Sequence, residues 1–318
     1  MKKVLKIFSL MLVILPVMLI FVACGSKEKS HTHNFSEINT NFCVRCDSYV
    51  VKGEGSKYLE EGEQAQILEE VVKTATPVDD ILNIIISGAV DHENLTTSYV
   101  DISQGAKVVN IIGEDNNASI TLTGGIRSLF LARDAILNVE NVIVNCERDL
   151  AGVSGWEVNN MPFKSSEVNF KNCKFTKGVV TRDQTKVSFD NCEFNTSDNL
   201  YAIWLGAKGF SGYSSYDDNV KEVVIKNCTF NSLRGIKVLT NGATVTIENN
   251  TFNNLTSKPG IVLDSNCGEM NYVTIKNNTF KNCTYGKYNT ADNTIYENGE
   301  EAYLTEYFTV TESGSKVK

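Results

Sequence analysis

Val168-Asn169-Phe170-Lys171-Asn172-Cys173-Lys174-Phe175 returns nineteen residues on as Val187-Ser188-Phe189-Asp190-Asn191-Cys192-Glu193-Phe194. Further copies occupy 223–230 (VVIKNCTF), 245–252 (VTIENNTF) and 273–280 (VTIKNNTF), and 137–144 (LNVENVIV) is a degenerate one. The cores have one length while the spacers between them differ, so each unit tolerates insertion in one region only. Within a copy, apolar residues at the first and third positions alternate with polar ones, as in a strand with one buried face. An Asn follows, then a second short alternating stretch ending in Phe. Asn accepts the left-handed backbone conformation and carries its own amide, so between two strands it makes a sharp bend without glycine. One copy per coil would stack Asn141, Asn172, Asn191, Asn227, Asn249 and Asn277 at strand spacing, about 4.8 Å. Their amides would then bond along an internal ladder. Phe175, Phe194, Phe230, Phe252 and Phe280 would form an aromatic column inside the coil.

This I-x-N-N/C-x-F repeat resembles the parallel β-helix repeat of the pectate-lyase (pectin-lyase-like) superfamily, with its asparagine ladder. The resemblance spans roughly residues 83–283 and implies an all-β, right-handed parallel β-helix; it speaks for the fold and hardly for activity. Leucine-rich repeats also stack Asn, but their leucine spacing and helical segments are missing here, and a propeller would show longer, more even periods. Ahead of the repeats, 61–74 (EGEQAQILEEVVKT) has helix-like apolar spacing and reads as an N-terminal cap over the open core. Short strands are expected at 82–86, 99–102, 108–112 and 120–122. The β-helix with its cap is thus placed at 61–290, and the Tyr- and Asn-rich residues 291–318, with a strand at 303–311, at the C-terminal capping tail.

The N-terminus has the layout of a secretory signal at 1–23: Lys2, Lys3 and Lys6, an apolar stretch, then Ala23 before Cys24. Phe21-Val22-Ala23-Cys24 resembles a lipobox, which implies a lipid on the Cys24 sulfur and cleavage before it. An uncleaved membrane anchor is the other reading, and both put the remaining chain outside the cytoplasm. Residues 24–30 read as a polar tether. The partner implied is a membrane, and the location is extracytoplasmic on the bacterial cell membrane. The net charge of −8 argues against nucleic acid, which demands a basic patch. Nine cysteines without regular loop spacing do not describe a disulfide scaffold.

Within 31–50, His31, His33, Cys43 and Cys46 follow H-x-H-x9-C-x2-C. Two imidazoles and two thiolates suit a closed, structural zinc site; the alternative is a stalk with Cys43 and Cys46 oxidised. The segment resembles short cysteine/histidine modules that precede β-helices in extracellular bacterial proteins. Cys173, Cys192 and Cys228 share one repeat position with Asn250 and Asn278 and read as small buried side chains.

The strand preceding each repeat core falls at 127–131, 178–182, 201–205, 234–238 and 260–264. If Ile203, Leu205, Ile236, Val238, Ile261 and Leu263 point inward, Trp204 and Lys237 point outward. Tyr201, Arg182, Asp183, Arg234 and Asp264 fall nearby, and rings beside cations and carboxylates suit a sugar. Two functions follow. One is a non-catalytic, lipid-anchored surface β-helix that binds glycan or serves adhesion. The other is a polysaccharide lyase on an acidic polysaccharide, with Arg234 or Lys237 as base and Ca²⁺ held by carboxylates. The only histidines, His31, His33 and His92, lie outside the repeats, so no histidine-assisted mechanism fits there.

Overall fold

The computed structural model describes residues 32–36, 39–94, 102–124, 135–146, 150–154, 167–182, 185–196, 201–206, 220–240, 242–255, 260–263, 271–281, 288–290, 295–296, 308–313 and 316–317. The described residues wind into stacked coils whose walls are three sheets of 11, 9 and 7 strands. In the first sheet, Glu167–Lys171, Lys186–Asp190, Glu222–Lys226, Thr244–Glu248 and Asn271–Lys276 pair in parallel, like position against like position. The second sheet carries the Phe-ending strands, from Lys174–Phe175 to Thr279–Lys281. The third stacks Leu150–Ser154, Gly178–Arg182, Ile203–Leu205, Ile236–Val238, Ile261–Leu263 and Tyr288–Thr290. This is the all-β parallel β-helix that the repeats imply.

The repeat asparagines are the corners. Asn141, Asn172, Asn191, Asn227, Asn249 and Asn277 all have φ between 53° and 59°, between the first and second sheets. Their side chains, however, point out, not in. Asn172 Nδ2 donates to Asn141 Oδ1 at 3.1 Å and Asn191 to Asn172 at 2.7 Å, on the exposed surface. The run then passes to Asp190, which accepts from Asn227 at 2.9 Å. The expected internal ladder belongs to the next residue, which the corner turns inward. Asn250 Nδ2 donates to the Ile225 carbonyl at 3.0 Å and Asn278 Nδ2 to the Ile247 carbonyl at 2.8 Å. In earlier coils a thiol makes the same reach: Cys192 Sγ to Phe170 O and Cys228 Sγ to Phe189 O, each 3.6 Å. Burial pushes the Cys192 thiol well up, and the neighbouring Cys173 and Cys228 add to it.

Phe175, Phe194, Phe230, Phe252 and Phe280 stack with centroids 4.6–4.8 Å apart and planes within 7°. Phe170 and Phe189 form a shorter stack beside them at 5.1 Å. Coil spacing imposes this near-parallel geometry; the T-shaped contacts run between the two stacks.

Outside, register puts Glu140, Lys171, Asp190, Lys226, Glu248 and Lys276 in one column of alternating sign. Lys171–Glu140 closes at 3.0 Å and Lys226–Asp190 at 3.4 Å. Such exposed pairs add little stability, but a register slipped by one residue would set Lys171 against the apolar Phe189 and lose the pairing. An adjoining outward column bonds Asn83, Asn110, Asn138, Asn169 and Ser188 in series.

The helix at the open end is shorter than its sequence pattern, running from Leu68 to Lys73. Leu68 and Val72 are fully buried against the core. The preceding residues are extended, because Gln66 closes the sheet edge instead. Its backbone N–H donates to Lys52 O, and its side-chain oxygen accepts from Lys52 N at 2.9 Å and Asn41 Nδ2 at 2.7 Å. Among the described residues no helix is long and apolar enough to cross a membrane.

The stack reaches past 61–290 at both ends. Ser48–Lys52 pairs in parallel with Ile81–Ser87, and Phe42–Cys43 pairs antiparallel with it. At the other end Phe308–Ser313 joins the first sheet and Lys316–Val317 the second. Of the strand expected at 303–311, residues 308–311 lie in Phe308–Ser313 and 303–307 lie outside the described residues; the one at 99–102 lies outside them apart from Ile102, in a turn.

Candidate functional site

Two constellations stand out, one on the third sheet and one where the first sheet begins. On the third sheet Ile203, Leu205, Ile236, Val238, Ile261 and Leu263 are buried inward, which turns Trp204 and Lys237 out as alternation requires. Register puts Trp204 directly against Lys237. The Lys237 ammonium lies 4.4 Å from the Trp204 ring and 5.9 Å from Tyr201; the Arg234 guanidinium lies 5.5 Å from Tyr201. Tyr201 and Trp204 meet edge to face at 5.9 Å. These are cation–π distances.

The face is sheltered. Tyr201 is only 8% exposed, and the outward Val180 and Val262, flanking Trp204 and Lys237 in their column, are 6% and 8% exposed. The strand containing Lys237 is entered through Gly235, whose Cβ, if it had one, would stand 1.9 Å from the Gly260 carbonyl oxygen. Gly235 is therefore a close backbone approach between coils. The described strand residues of this sheet include no carboxylate and no imidazole. Arg182 ends the strand Gly178–Arg182, and nothing of its side chain is described. Asp183, Asp264 and the expected strand 127–131 lie outside the described residues, as do His31 and Cys24, the residue expected to carry a lipid.

The second constellation brings His33, Cys43 and Cys46 together, with their ligand atoms within 4.8 Å of one another. Three such groups could hold a metal ion. Cys43 closes the two-residue strand Phe42–Cys43, and the chain turns through Cys46 and Asp47 (φ 49°) into Ser48–Lys52. The hairpin is thus the edge of the first sheet, not a free stalk. Cys43 and Cys46 are not joined in a disulfide. Cys46 Sγ lies 3.6 Å from His33 Nδ1. Two ligands of a tetrahedral zinc, with bonds of about 2.3 and 2.1 Å, stand about 3.6 Å apart. The Asn34 N–H donates to Cys43 Sγ at 3.4 Å. Burial, above all, and the adjacent Cys43 push the Cys46 thiol up to about 11, against a lowering bond from Ser48.

His33 has a second partner that the sequence pattern does not reveal. Its side chain is 4% exposed, and Nε2 lies 3.5 Å from Glu114 Oε1. The same oxygen accepts from Lys57 Nζ and Tyr58 OH, both at 2.7 Å. Burial pushes the Glu114 carboxyl up, but bonds from Lys57, Tyr58 and Ser87 outweigh it and hold the group below the usual glutamate range. Burial and the Glu114 bond together raise Tyr58 to about 12. Glu114 follows the strand Val108–Gly113 and is fixed by its own N–H to Ile86 O at 2.9 Å.

Residues 151–302 match the family described as right handed beta helix region. The fold is a right-handed β-helix. The match covers the coils that carry the aromatic cluster and leaves the His33–Cys46 hairpin outside it. No curated protein and no solved structure matches the chain.

Proposed function

We propose that this β-helix is a lipid-anchored surface protein that binds an acidic glycan on its third sheet without turning it over. The observation that carries the reading is the Tyr201–Trp204 pair with Arg234 and Lys237 laid over its rings. The half-buried Trp204 ring, backed by Tyr201, gives a sugar an apolar surface to lie against, and two cations give a carboxylate or sulfate its counter-charge. The anchor is Cys24, and the ectodomain works outside the cytoplasm, held at the bacterial membrane. The metal at the opening is zinc in a closed, structural site, with His33, Cys43 and Cys46 as three ligands and His31 as the fourth.

The test is binding of acidic polysaccharides (polygalacturonate, alginate, hyaluronate, heparin) followed by calorimetry. Trp204→Ala should abolish binding. Lys237→Ala should weaken it about tenfold and flatten its salt dependence, since a charge pair of about 1.4 kcal/mol is a factor of ten. Equal binding by Trp204→Ala and the parent defeats the proposal. So does the appearance of unsaturated sugar products that Arg234→Ala or Lys237→Ala abolishes, which establishes a lyase, with its Ca²⁺, in its place.

A further inference from the structure

We infer that Glu114 makes the zinc hairpin a latch on the β-helix, orienting His33 for the metal from the first full coils of the stack. The inference rests on the zinc reading above and adds the residue that couples the metal to the fold. A ligating histidine commonly gives its other ring N–H to a carboxylate, which fixes the tautomer and raises the basicity of the ligating nitrogen. Here Nδ1 faces Cys46 Sγ at 3.6 Å while Nε2 faces Glu114 Oε1 at 3.5 Å. The ring is held between by Tyr58 and Phe35, at 5.2 and 6.0 Å. No other tautomer leaves Nδ1 free to ligate while Nε2–H donates to Glu114.

The position of Glu114 is set by the coils. Its N–H is bonded to one coil through Ile86 O, and a Cβ on the preceding Gly113 would stand 2.0 Å from the Asn141 carbonyl of the next. Gly113 therefore lets the corner of the following coil close against this turn, and Glu114 cannot shift without opening it. Metal bound at the hairpin is thereby tied to strands Ile81–Ser87 and Val108–Gly113, far along the sequence from His33. The hairpin also covers the end of the first sheet, where an unpaired edge would otherwise invite another chain. Zinc on this site closes the open end of the solenoid.

The experiment uses the full chain in detergent, with zinc affinity measured against a chromophoric chelator and amide hydrogen exchange followed with and without zinc. The parent should bind one zinc, and zinc should slow exchange in Ile81–Ser87 and Val108–Gly113. Glu114→Gln should still bind one zinc but about 10- to 100-fold more weakly, with the zinc-induced slowing lost. Lys57→Met, at an exposed ammonium, removes a competitor for Glu114 Oε1 and should tighten zinc. Zinc affinity within twofold of the parent in both variants overturns the latch while leaving the zinc site standing. If Cys43→Ser with Cys46→Ser binds zinc as the parent does, or the parent binds none, the metal reading itself fails.

Discussion

The repeat coils and the N-terminal collar hold together by opposite means. In the coils many buried groups recur in kind from one coil to the next: Phe230 lies between Phe194 and Phe252, and Asn250 reaches the same kind of carbonyl as Asn278. In the collar nearly every contact occurs once. Gln66 bridges Asn41 and Lys52, the Tyr49 hydroxyl accepts from Thr76 N at 2.8 Å, and His33 faces Glu114. A wall made of equivalent contacts can be lengthened by copying, but copying cannot end it. The ends need unlike chemistry. Among the described residues, the His33–Cys43–Cys46 group that could hold a metal ion lies at such an end.

The comparison breaks most sharply on a single ring. Phe230→Ala removes contacts with two neighbours from a fully buried site and should cost about 3–5 kcal/mol in denaturant unfolding. Phe35→Ala, in the half-buried collar, should cost under about 2 kcal/mol. Equal costs would mean that the stack carries no more of the stability than the collar does.

The same contrast decides what the sequence made legible. A column of like residues is a periodic signal, so the coil, its corner asparagines, the Phe stack and the outward Trp204 and Lys237 could be read directly. The direction of the corner side chains could not, because a positive φ at Asn191 turns the following Cys192 inward and only geometry shows which of the two is inside. The alternating column of Glu140, Lys171, Asp190 and Lys226 was available in the aligned copies, at the position before each corner Asn, but becomes meaningful only once register is known. Of the group that could hold a metal, spacing named His33, Cys43 and Cys46, together with His31, which lies outside the described residues. Glu114 had no signal at all, since it sits beyond the hairpin, outside any repeat, and meets His33 only through the fold. The short helix has a third cause: its pattern fits a longer one, but residues through Ile67 are taken by the sheet edge, Ile67 bridging to Asp91.

The internal column sharpens the comparison at an intermediate cost. Asn250 accepts from Cys228 N at 2.8 Å and donates to Ile225 O at 3.0 Å, all out of water. Asn250→Ala strands both groups and should cost about 2 kcal/mol by thermal unfolding. Asn250→Cys puts a thiol where Cys228 and Cys192 already serve, keeps a donor toward the carbonyl, and should cost about half as much. If Cys costs as much as Ala here, the thiols of the earlier coils are fillers of space and not members of the ladder.

The smallest effect lies in the collar and depends on pH. Glu114 is held below the ordinary glutamate range in the fold, with Lys57, Tyr58, Ser87 and His33 around it. A carboxyl whose folded value is depressed stabilises the fold above its unfolded value and loses that contribution as pH falls through the folded one. In chelator, so that no metal contributes, the parent should therefore exceed Glu114→Gln by at most about 1 kcal/mol near neutrality, because the Lys57 head is largely exposed and screened. The two should converge in acid, below the ordinary glutamate range. Urea midpoints measured from pH 7 down to pH 3 read the gap directly. A gap of constant size across that span would mean that Glu114 acts in the collar through its shape and hydrogen bonds alone, and that its charge does not contribute.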